Sequence, residues 1–132
     1  MSREALELAS LFERKGLEEL EAARILSGAD TAADAVVGFH AQQAVEKFVK
    51  AALAARGVEV PRPHDLRFLF ELAAANDVVV PADVSNARWL TPWAVEFEEL
   101  TDPLDRAAAI AAADRVAAWA AALVASAAAD NL

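Results

Sequence analysis

An all-α fold, built as an antiparallel up-and-down bundle of four to five helices, is predicted by three features of the sequence. Alanine is abundant, while the chain holds four glycines, five prolines and no tyrosine, a mixture that favours helices over strands. Apolar residues return every three or four positions, as in Leu66, Leu69, Phe70 and Ala73. Residues that stop and start helices divide the chain at Ser27-Gly28, Gly57, Pro81 and Asp102-Pro103. The length of 132 residues suits one domain over positions 1–132. Much of the 57% apolar content is alanine methyl, so the six Phe, three Trp and the leucines must supply most of the burial energy.

The first helix is expected from Arg3 to Leu26, with Leu8, Leu11 and Phe12 in one apolar patch and Leu17 and Leu20 in another. Gly16 between them costs about 1 kcal/mol relative to alanine and marks a candidate kink. Ser27 to Asp30 reads as a turn. Thr31 followed by Asp34 reads as a variant capping box that opens a second helix, Thr31 to Arg56. At about 100° per residue, this helix places Ala41, Ala44, Val45, Phe48 and Ala52 on a packing face. Gln42, Gln43, Glu46 and Lys50 fall on the opposite face, with Lys47 at its edge. Gly57 ends the helix, and Pro61 and Pro63 lead to His64-Asp65-Leu66. Asp65 is placed to cap a third helix running to Ala75. Asn76 to Val80 reads as a connector; Val78, Val79 and Val80 would suit a strand but have no partner run. A fourth helix is expected from Ser85 to Leu100, kinked or restarted at Pro92, with Trp89, Trp93 and Phe97 spaced four apart on one side. Asp102 then caps a fifth helix, with Pro103 in its first turn, that runs to Ala128.

Cysteine is absent, which excludes disulfides and thiolate chemistry and fits a reducing cytoplasm. Ser2-Arg3-Glu4 opens a charged, amphipathic run rather than an apolar leader. The tract from Ala107 to Ala129 is apolar, but Asp114 and Arg115 interrupt it, so a bundle helix is expected there rather than a membrane span. Acids outnumber bases 21 to 12, a net charge of −9. Nucleic-acid binders ordinarily show a basic face, so an RNA or nucleotide site would have to be a local basic pocket within a repelling field. A basic protein partner suits this surface at least as well. No Gly-rich phosphate loop, Ser/His/Asp arrangement or metal-ligand spacing occurs, and no cofactor is implied.

The run Phe39-His40-Ala41-Gln42-Gln43-Ala44, with Glu46, Lys47 and Lys50, followed across a Gly-Pro loop by His64-Asp65-Leu66, resembles the HEPN family of small helical domains. Length and helix order agree over nearly the whole chain. The resemblance implies an all-α bundle and a homodimer. It further implies pairing with a small nucleotidyltransferase, as in many prokaryotic relatives, in a toxin–antitoxin-like system, and a groove that contacts nucleotides. HEPN proteins that cleave RNA carry Arg, four to six intervening residues, then His; histidine moves a proton while arginine stabilises charge on the phosphate. Seven residues separate Arg56 from His64, one separates Arg62 from His64, and fifteen separate Arg24 from His40. None fits, so no catalytic residue is assigned. Relatives often show Arg-Tyr-Pro near Val95-Glu96-Phe97-Glu98, where this chain sets an acid and a phenylalanine.

The groove or nucleotide-binding candidates are Gln43, Lys47, Lys50, Arg62 and His64. Three functions follow: a non-catalytic interaction module, a metal-independent ribonuclease using a variant site around Arg62 and His64, or a nucleotide-binding module. Each candidate also has a plain structural alternative. His40 is expected to be a packed histidine bonded to a neighbouring helix, and His64 to fix the loop beside Asp65. The polar row of the second helix is expected to be a seam between helices or a solvated face, and Trp89 and Trp93 to be core or dimer anchors rather than base-stacking platforms.

Overall fold

The computed structural model describes residues 2–60, 65–94 and 102–131, and the elements are helical, with no strand among the described residues. They are α1 (Arg3–Ser27), α2 (Asp34–Ala55), α3 (Leu66–Ala75), α4 (Ala82–Ser85), a 3-10 helix (Asn86–Ala94) and α5 (Arg106–Asp130). Helix α2 is the centre. It packs on α1, α3, α5 and the 3-10 helix, and fourteen of its residues are buried. The end of α1 meets the first half of α5 through Arg24 and Asp114, so these helices run in opposite directions. The beginnings of α2 and α5 meet through Asp34 and Arg106, so those two run the same way.

The expected packing face of α2 is the core. Ala41, Ala44, Val45, Phe48 and Ala52 are fully buried, joined by Leu20, Leu53, Leu66, Leu69 and Leu90. Each large side chain so buried contributes about 1.5–3 kcal/mol. Gly16 is not a break: α1 is one continuous helix. A Cβ at Gly16 would stand 2.6 Å from Cε1 of Phe48, so glycine is there to let the Phe48 ring lie against the α1 backbone. Gly38 does the same for Trp93.

Several helix ends differ from expectation for identifiable reasons. Helix α2 starts at Asp34, not Thr31, and its N-cap Ala33 makes no side-chain bond. The Asp34 carboxylate instead accepts from Leu104 N at 3.1 Å and Arg106 Nε at 2.6 Å. Helix α5 begins at Arg106. Asp105, not Asp102, is its cap, accepting from Ala108 N at 3.0 Å. Asp65 caps α3 as expected, accepting from Phe68 N at 2.9 Å. Gly57, at φ 73°, ends α2 in the left-handed region that suits glycine.

The fourth helix starts earlier than expected, at Ala82, and turns to 3-10 geometry from Asn86. With about three residues per turn, positions four apart no longer share a face. Trp93 is therefore buried while Trp89 is 36% exposed. Phe97 lies outside the described residues.

By length and composition α5 could cross a membrane. Here Ala109, Ala112, Ala113, Val116, Ala120 and Val124 form its buried stripe in the bundle. Asp114 pairs with Arg24, and Arg115 donates to the carbonyl of Asp83.

Candidate functional site

One stripe of α2 is left uncovered by its neighbours. Val36, Phe39, His40, Gln43, Glu46, Lys47 and Lys50 recur at helical spacing and all are half-buried, so the row is partly covered rather than a solvated ridge. Gln42, expected with this polar row, is buried instead, at 2% exposure. Its position, two turns before Val49, rotates it to the packed side of α2. Its Oε1 is satisfied by Gln43 Nε2 at 2.7 Å.

The stripe is largely wired to itself and to α1. His40 Nδ1–H donates to Glu19 Oε2 at 2.7 Å, joining α2 to α1 as a packed histidine, and its ring meets Phe39 edge to face. Lys50 Nζ donates to Glu46 Oε1 at 2.9 Å, and the two side chains are only 15% and 14% exposed. Lys50 also lies 5.9 Å from the centre of the Phe12 ring, a cation–π contact to α1. Phe12 also lines a largely apolar cavity of about 390 Å³ with Leu8, Val58 and Val60.

Of the candidates, the structure therefore brings Gln43, Lys47 and Lys50 onto one half-buried row. Gln43 is bound to Gln42 and Lys50 to Glu46. Lys47 has no side-chain partner among the described residues, which leaves one uncommitted ammonium on the row. Arg62 and His64 lie outside the described residues, as do Val95 to Glu98. Among the described residues no group of three His, Asp or Glu side chains could hold a metal ion. The row offers amide and ammonium donors, which suit recognition of a partner or ligand more than bond cleavage.

Among the described residues, the most heavily bonded side chain was not visible to sequence reasoning. Arg106, at the start of α5, donates to Asp34 and to the carbonyls of Leu26, Ser27, Ala29 and Ala32. It thus covers the end of α1, the α1–α2 turn and the start of α2. Asp34 is held below the ordinary value of 3.8 first by the Arg106 hydrogen bond, then by the Leu104 N–H, and also by the charge of Arg106; partial burial opposes them. No local pattern signals this contact, because the partners stand 72 residues apart.

The helical bundle with its half-buried polar row defines a small all-α domain. The sequence matches the HEPN domain over residues 9–121, and the chain belongs to that family. No curated protein and no solved structure matches it.

Proposed function

We propose that this HEPN protein is a non-catalytic interaction module that works in the cytoplasm. In this reading it forms a homodimer and pairs with a minimal nucleotidyltransferase in a toxin–antitoxin-like system. The observation that carries the reading is the wiring of the α2 row. Its histidine is bonded to Glu19 of α1 and its half-buried lysine to Glu46 one turn back on α2, so groups that could move protons or grip phosphate are already engaged within the bundle. The sequence adds that neither histidine follows an arginine at the ribonuclease spacing, and that a net charge of −9 suits a basic protein partner.

Sedimentation at micromolar concentration tests the dimer, and a monomer at every concentration ends that part of the reading. Incubation of the purified protein with RNA, without metal, tests the non-catalytic part. Cleavage that disappears in His64→Ala would replace it with the ribonuclease reading.

A second reading, nucleotide binding without turnover, is favoured by the free ammonium of Lys47. Titration with ATP at low salt decides it: saturable binding that weakens in Lys47→Ala supports it, and no response at millimolar ATP removes it.

A further inference from the structure

A second concavity lies away from the α2 row, where the chain leaves α3. Asp77 takes a left-handed conformation, φ 59°, which aspartate tolerates better than most residues. The chain thereby folds back on α3, and Val78 N–H donates to Ala73 O at 2.9 Å. Two side chains of α5 hold the following segment. Trp119 Nε1–H donates to Val79 O at 3.1 Å, and Arg115 Nε–H donates to Asp83 O at 3.3 Å. α3, the connector and α4 are thus fixed beside a cavity of about 290 Å³.

The lining of this cavity mixes two chemistries. Phe70, Ala74, Val78 and Val80 supply apolar surface. Arg67, Arg88, Glu71 and Ser85 supply polar groups. Arg67 Nε donates to Glu71 Oε1 at 3.2 Å, so that pair is close to neutral, and the Ser85 hydroxyl donates to Ala82 O. The guanidinium of Arg88 has no hydrogen bond or ion pair among the described residues. The lining therefore carries one uncompensated positive charge beside a hydrocarbon surface, in a chain whose overall charge is strongly negative.

We propose that this cavity binds a small carboxylate with an apolar body, such as a short acyl or aryl acid. The carboxylate is held by the planar fork of Arg88, and the hydrocarbon lies over Phe70, Val78 and Val80. The volume is at the low end for ligand sites, which fits a compact ligand. Glu71 opposes a multiply charged anion such as phosphate, and the apolar wall gives phosphate oxygens no donors. A neutral alcohol would leave the Arg88 guanidinium unpaired.

The test is a titration of the full-length, isotope-labelled protein with hexanoate, followed by backbone amide and arginine Nε resonances. Hexan-1-ol and inorganic phosphate are the comparison probes. Saturable shifts with hexanoate are expected at Ala74, Val78, Val80 and Arg88, with a millimolar dissociation constant and far smaller responses to the other two probes. Arg88→Gln removes the anchoring charge from an exposed position and should weaken binding about tenfold. Ala74→Met, also at an exposed position, fills the cavity and should weaken hexanoate binding without altering charge. Shifts that fail to saturate, equal responses to hexan-1-ol or phosphate, or unchanged affinity in Arg88→Gln would each overturn the proposal.

Discussion

The two ends of the bundle are fastened by opposite means. Where α1 ends and α2 and α5 begin, one guanidinium binds a carboxylate and four carbonyls, and Arg24 pairs with Asp114 close by. At the other end the same three helices meet through a small cluster, Ala9, Ala51, Ala54, Ala55 and Val124. The first contact is directional and charged, and it ties together the carbonyls of the turn between α1 and α2. The second is non-directional and depends on close backbone approach over small side chains, with Phe12 and Leu123 packed against them. A helical pair can thus be set in register by polar bonds at one end while the other is free to settle by shape alone. The two ends should respond differently to acid and to side-chain size.

Phe48, between the ends, gives the largest expected loss and the scale for both. It is fully buried, so Phe48→Ala should lower unfolding free energy by about 4 kcal/mol, measured by chemical denaturation. A loss below about 1 kcal/mol would mean that the α1–α2 contact is far looser than the packing implies.

Arg106→Gln comes next, at about 2 kcal/mol near neutral pH. The side chain is 22% exposed, which reduces the effect below that of a fully buried ion pair. The comparison sharpens with pH. Asp34 has a lowered value in the folded chain, so the unfolded chain takes up the proton more readily. Its contribution is whole above the ordinary value of 3.8 and is lost as pH falls through the lowered value. The gap between the natural chain and Arg106→Gln should therefore narrow in acid; a constant gap would assign the effect of Arg106 to its carbonyl bonds alone.

Ala51→Leu probes the alanine end and should cost about 1–2 kcal/mol through overpacking. That cost should not change between pH 3 and pH 7, since no ionisable group enters the cluster. A strongly pH-dependent cost would break the contrast between the ends.

How far the sequence could be read follows from the range of each interaction. The packing face of α2 was legible because a single helical period orders Ala41, Ala44, Val45, Phe48 and Ala52. Asp65 was legible as a cap because its bond to Phe68 spans three residues. The histidine on α2 was legible in kind, a packed ring bonded to another helix, although nothing in the sequence selects Glu19 as its partner. Gln42 was misplaced because a wheel gives direction but not how wide a sector the neighbours cover. Trp89 and Trp93 were set on one face by assuming an α period where the chain adopts 3-10 geometry. Arg106 and the Arg88 cavity were invisible for different reasons. The first depends on a contact across 72 residues, and the second on a left-handed turn at Asp77 that no local pattern demands.

The close seat of the Phe48 ring on Gly16 links the histories of those two positions. A larger residue can be accepted at 16 only after the aromatic has shrunk, and an aromatic can be regained at 48 only while 16 stays bare. Descendants of this chain should therefore exchange the pair in a fixed order, with Phe48 yielding first.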